Sequence, residues 1–145
     1  MLETIQESQL FKGVTPRVLT EIACASEEVT FQEGETIFSK GESSQDVYEL
    51  IEGSVDLVSL EHSIVHLTVS QGGQIFGWSG LVEPYTRTAT AKCTADTRVI
   101  RIPRDAIERT IERHPHEGIC ILKNLMSLIA DRLRVAYSYI YSSVS

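Results

Sequence analysis

Glycine punctuation is the strongest constraint this sequence places on its fold. Between Glu27 and Ile102 the apolar residues come in short runs, with glycines between them at positions 34, 41, 53, 72, 73, 77 and 80. Runs that short leave no room for long helices, and a glycine at each break lets the backbone reverse sharply. Val29 with Phe31, Ile37, and residues 47–51, 55–60, 64–69 and 98–102 therefore read as strands, many with the two-residue alternation of a half-buried sheet. Many short antiparallel strands at this spacing suggest a closed barrel or a jelly roll.

Helical patterns flank this middle. Thr15 and Pro16 read as an N-cap and a first-turn proline, and Val18, Leu19, Ile22 and Ala23 follow at helical spacing. Pro103 is expected in the first turn of a second helix running to about residue 113, where His114-Pro115 breaks it. A single long helix is expected from about residue 116 to 141. Along it Ile119, Leu122, Met126, Ile129, Leu133, Ala136 and Ile140 alternate spacings of three and four, the seam of a coiled coil. Ile121, Leu125, Leu128 and Val135 form a second apolar line on an adjoining face. Either both lines belong to one broad core-facing stripe, or one packs on the barrel and the parallel helix of a second copy covers the other, which fits better. The expected chain is one mainly-β domain over residues 1–145, with helices over 1–26, the roll over 27–102 and helices over 103–145.

Charge and cysteine usage bound the partners. The formal net charge is −7, and 15 of the 20 acidic but only 7 of the 13 basic side chains lie in residues 1–102. Nonspecific nucleic-acid binding needs the opposite excess, so no direct nucleic-acid binding by this chain is expected. No apolar run approaches the roughly 20 residues of a membrane span, and residues 1–4 lack the basic, apolar start of a signal peptide. Cys24, Cys93 and Cys120 are odd in number and widely spaced, which suggests neither a disulfide framework nor a zinc site. A cytoplasmic protein with reduced thiols, no membrane partner and no metal is the expectation. His62 and His66 share one face of a hairpin strand, but the clustered His and Glu of a barrel metal site are missing. His114 and His116 read as surface and capping residues, and Glu108, Arg109, Glu112 and Arg113 as a solvated helix face. With no nucleophile elbow, Walker loop or HExxH motif, no catalytic residue is expected and the chain is not read as an enzyme.

Chemistry concentrates in residues 72–91. Gly77 and Gly80 let the backbone turn tightly and approach a ligand. A short helix beginning near Trp78 would direct free N–H groups outward, which favours an anion. Arg87 returns after the turn Glu83-Pro84-Tyr85-Thr86 and offers a bidentate cation, with the Thr88 hydroxyl beside it. Together these make a phosphate cradle inside a barrel.

The same residues carry a resemblance. The run Phe31-x-x-Gly34-Glu35-x-Ile37-Phe38-x-x-Gly41-Glu42, then Asp46-Val47-Tyr48-Glu49-Leu50-Ile51-Glu52-Gly53-Ser54-Val55, then Gly73-Gln74-Ile75-Phe76-Gly77, then Arg87-Thr88-Ala89-Thr90-Ala91 resembles the cyclic nucleotide-binding domain. The likeness runs over roughly residues 10–141 and is strongest to the sensor half of bacterial catabolite-activator-type transcription regulators. It implies a β-roll flanked by helices, a phosphate-binding cassette at residues 76–88, and a long C-terminal helix that dimerises and closes over the ligand. It places Phe76, Gly77, Trp78, Ser79, Gly80, Leu81, Arg87, Thr88 and Ala89 at the phosphate. The implied effector is a small anion, cyclic AMP or a relative; no other cofactor is implied.

Two departures bear on that ligand. Family members that bind cyclic AMP usually carry a Glu after the Phe-Gly pair, for the ribose 2′-hydroxyl; here Trp78 follows, then Ser79 and Gly80. Losing a charge-assisted hydrogen bond of about 1.5–3 kcal/mol implies roughly 10- to 100-fold weaker binding, with Ser79 as a partial substitute and Trp78 as a surface for a base. On the long helix, the Thr-Ser pair that contacts adenine in the family is replaced by Ala136-Tyr137, which moves any hydroxyl readout to Tyr137 or Ser138. The expected function is a ligand-sensing regulatory module signalling through its C-terminal dimer helix by a shift between two states. Two alternatives stand beside it: a ligand-free dimerisation module with Trp78 filling the pocket, and the sensor part of a transcription regulator whose DNA-binding domain is absent.

Overall fold

The computed structural model describes residues 5, 8–59 and 64–144. Helix α1 (Pro16–Ala25) opens on the proline, whose missing N–H is one the first turn leaves unpaired anyway, and it buries Val18, Leu19, Ile22 and Ala23. Thr15 stands at the N-cap, but its hydroxyl makes no capping bond; its backbone N–H donates instead to Glu117 Oε2 at 3.0 Å.

Among the described residues eight strands follow: β1 (Glu27–Phe31), β2 (Thr36–Phe38), β3 (Asp46–Glu52), β4 (Val55–Ser59), β5 (Ile64–Val69), β6 (Ile75–Phe76), β7 (Thr90–Cys93) and β8 (Thr97–Pro103). They pair antiparallel in two sheets, ordered β1-β8-β3-β6 and β2-β7-β4-β5. This is the expected roll. A single 3-10 turn, Trp78–Gly80, and the loop after it carry the chain from β6 in the first sheet to β7 in the second. The cassette is therefore a crossover strap, anchored at each end in a different sheet.

Neighbouring residues of one strand feed two separate cores, because successive side chains point to opposite faces. Tyr48, Phe76 and Val99 join Phe38, Leu50 and Val55 between the sheets. Val47, Ile75 and Ile100 turn the other way, into a cluster with Leu19, Ile22, Ile107 and Ile121 from the helices. Helix α2 (Arg104–Arg113) follows β8 directly, with Pro103 at its N-cap rather than in its first turn. Helix α3 (Pro115–Val144) starts on its own proline, so the break between them is the single residue His114.

The two apolar lines of α3 separate as their spacing requires. Ile121 and Leu125 are buried and Leu128 packs on the helix-side core, together with Ile129 from the seam. Ile119, Leu122, Met126 and Leu133 are 41–65% exposed, and Ala136 and Val135 are exposed as well. The side chain of Ile140 lies outside the described residues, as do those of His62 and His66. No described helix is long and apolar enough to cross a membrane, and among the described residues no group of three His, Cys, Asp or Glu is placed to hold a metal.

Candidate functional site

The cassette begins at a glycine that the geometry demands. Gly77 has φ +73°, and a Cβ there would stand 2.8 Å from Arg87 Nη1 and 3.1 Å from the Phe38 ring. Gly80 is packed closer still: its Cβ would lie 2.0 Å from the Asp46 carbonyl oxygen. One glycine lets the turn form under the arginine, and the other lets it dock on the start of β3.

Arg87 is pinned before its side chain is considered. Its N–H donates to the Glu42 carbonyl at 2.9 Å, and its own carbonyl accepts from Gly41 N–H at 2.8 Å. The side chain, 4% exposed, lies with Cζ 4.1 Å over the Phe38 ring. Nη1 donates to the Gly77 carbonyl at 2.6 Å and to Ser79 Oγ at 3.4 Å, and Nη2 donates to the Asp46 carbonyl at 2.8 Å. Phe38, Tyr48 and Phe76 form an aromatic cluster there, Phe38 tilted against the other two and the Tyr48 and Phe76 rings stacked with centroids 5.4 Å apart. Burial lowers the Arg87 pKa, and Tyr48, Asp46 and Glu42 work against that; a guanidinium still stays charged. Burial likewise raises the Asp46 carboxyl, against the pull of Arg101, Arg87 and Arg104.

Beside this cradle a cavity of about 300 Å³ opens, lined by Phe38, Leu57, Gly77, Trp78, Ser79, Thr88, Ala89 and Arg132. That is the low end of the range for small-molecule sites. Phe38 also borders a second hollow of about 280 Å³, where Arg87 faces Glu42, Asp46 and Tyr48. Of the residues singled out in the sequence, Gly77, Trp78, Ser79, Thr88 and Ala89 line the first cavity. Arg87 borders the second, Phe76 is wholly buried between the sheets, and Gly80 sits on the Asp46 backbone. Leu81 packs on the helix-side core, as does half-buried Trp78, which also lines the cavity. Ala136 and Tyr137 are exposed on α3 away from the lining.

Arg132, one turn earlier on α3, borders the cavity in their place. It lies three and four residues beyond Ile129 and Leu128, which pack on the core, so that spacing signals its inward position. Arg104 also lies outside the site that the sequence patterns mark. Its signal is a cation in the first turn of a helix, where the dipole disfavours it; Nη1 donates to the carbonyls of Ser44 and Gly80 at 2.9 and 3.0 Å.

The model of the cyclic nucleotide-binding domain matches residues 28–114, more than half of the chain. The chain belongs to the cyclic nucleotide-binding domain family. It is similar to a crystal structure of a cyclic nucleotide-binding protein from Geobacter metallireducens, with TM-score 0.79 and 30% identity over 90% of this chain and 96% of that one. The Catabolite Activator Protein of Thermus thermophilus gives TM-score 0.77 and 26% identity over 94% of this chain and 63% of that one. The CRP-like cAMP-activated global transcriptional regulator of Mycobacterium tuberculosis is 27% identical over 136 residues, 92% of this chain. This chain spans 59% of that regulator's length. The family is one of regulatory ligand-binding domains, not of enzymes.

Proposed function

We propose that the cavity binds a cyclic nucleotide or a similar small phosphate-bearing effector, and that occupancy is signalled through α3 to a second copy of the chain. The observation that carries this reading is Arg87, a buried cation held at the cassette by backbone carbonyls beside a 300 Å³ cavity. A permanent charge kept out of water at that cost is suited to an anion that brings its own charge into the site. Arg87 would pair with the phosphate, Ser79 and the backbone of Gly77 would add donors, and Thr88 would assist. Trp78 offers a planar face to a base, and Arg132 faces the same space from α3. The apolar seam that α3 leaves exposed fits the same seam on a second copy. In a regulator like the mycobacterial one, such a module would be the sensor part, with DNA reading supplied by other residues.

Trp78 is the single tryptophan of the chain and lies in the cavity wall, so its emission reports occupancy directly. Titration with cyclic AMP and with cyclic GMP is expected to shift it, and Arg87→Gln is expected to weaken binding at least about 100-fold. If neither nucleotide binds below millimolar, or Arg87→Gln binds as wild type does, the reading is wrong.

A further inference from the structure

Arg104 gathers three separate segments onto one guanidinium. Its Nη1 donates both to the Ser44 carbonyl, in the loop before β3, and to the Gly80 carbonyl, at the end of the cassette turn. Its Cζ lies 3.8 Å from the centroid of the Tyr85 ring, and Nε is 3.7 Å from Glu108 Oε1, one turn along α2. The backbone N–H of Arg104 donates to the Gln45 carbonyl at 2.7 Å. These partners are themselves tied together. The Ser44 N–H and hydroxyl both donate to the Tyr85 carbonyl, at 2.7 and 3.1 Å, and Tyr85 holds the left-handed φ of +59° that turns the strap back toward Arg87. The first residue of β3, directly after that loop, supplies the Asp46 carbonyl that Arg87 Nη2 uses.

On its far side α2 is locked to α3. A Cβ on Gly118 of α3 would stand 2.7 Å from Ile111 Cα, so the two helices approach nearly backbone to backbone and shift as a pair. We propose that Arg104 is the positioning residue that makes the cassette and the α2–α3 pair move together. Any displacement of Gly80 or Tyr85 pulls on the first residue of α2, and through it on α3. What drives the displacement rests on the function proposed above; the link itself exists without ligand.

Hydrogen exchange on the full chain tests this, with wild type compared to Arg104→Lys and Arg104→Gln. Lysine keeps the charge but loses the planar face on Tyr85, and glutamine loses both. Without ligand, exchange over residues 43–46 and 78–88 is expected to be about fivefold faster in Arg104→Gln and intermediate in Arg104→Lys. Residues 47–52 and 98–102 are expected to stay protected. With cyclic AMP or cyclic GMP, wild type is expected to gain protection in both the cassette and residues 104–130, and Arg104→Gln in the cassette alone. A uniform rise across the roll, no rise at 43–46 and 78–88, or ligand protection of 104–130 that survives in Arg104→Gln would each overturn the proposal. If neither nucleotide protects the wild-type cassette, the proposed function fails, and the ligand-free comparison decides for Arg104.

Discussion

Gly41 and Gly80 are glycines for different reasons, and single substitutions separate them. Gly41 has φ +90° with open space where a Cβ would stand, whereas Gly80 lies outside the left-handed region but meets the Asp46 backbone. Gly41→Ala therefore carries only a strained φ, about 1–2 kcal/mol. Gly80→Ala must push two backbone segments apart and is expected to cost about 3 kcal/mol or more. Urea denaturation of the two variants checks the difference, and equal losses would contradict the close approach. Asp46 adds a pH-dependent effect at the same spot. Burial raises its carboxyl above 3.8, with Arg101, Arg87 and Arg104 opposing and Glu27 adding to the rise. The folded chain then holds that proton more tightly than the unfolded one, so this group's contribution to stability falls as pH climbs from 3.8 through the folded value. Asp46→Asn removes the slope. Its Tm relative to wild type is expected to rise with pH across that window and to level off once Asp46 is ionised; a flat or falling difference would rule this out.

At the level of elements, what could be read in advance depended on length and on which faces are covered. Strands such as β3, β5 and β8 are long enough to show their alternation. The two residues of β6 and the small, polar Thr90-Ala91-Lys92-Cys93 of β7 are not, although these strands hold the two ends of the cassette. Glu49 shows where alternation misleads. It should mark a solvated face, yet it is wholly buried, because the helices cover the outer side of β3. Gly77, Gly80 and Arg87 were legible because the chemistry of a cradle demands those residue types. Phe38, Arg104 and Arg132 come from distant parts of the chain, and only packing brings them to the cassette. The seam of α3 was legible as a period, and the fold now divides it, with Ile129 on the core and Leu122 and Met126 in the open. Leu122→Glu with Met126→Glu is expected to leave the fold intact and to convert a dimer to monomers in sedimentation velocity. A doubly substituted chain that sediments as wild type does would show that this face pairs with nothing.

For the whole molecule, charge and cradle act in opposite directions on an anionic ligand, and kinetics can part them. The net charge of −7 repels an approaching phosphate at long range, and that repulsion is screened as the Debye length shrinks from about 30 Å at 0.01 M salt to about 10 Å at 0.1 M. Arg87 acts only at contact, buried and gripped by the Gly77 and Asp46 carbonyls, where salt reaches little. Stopped-flow mixing with cyclic AMP, followed through Trp78, should therefore show association about two- to threefold faster at 0.1 M than at 0.01 M salt, with dissociation nearly unchanged. That pairing assigns encounter to the acidic shell and retention to the cradle. The opposite result, association slowing with salt, would mean that Arg132 at the cavity edge governs the approach, and Arg132→Gln should then abolish the slope.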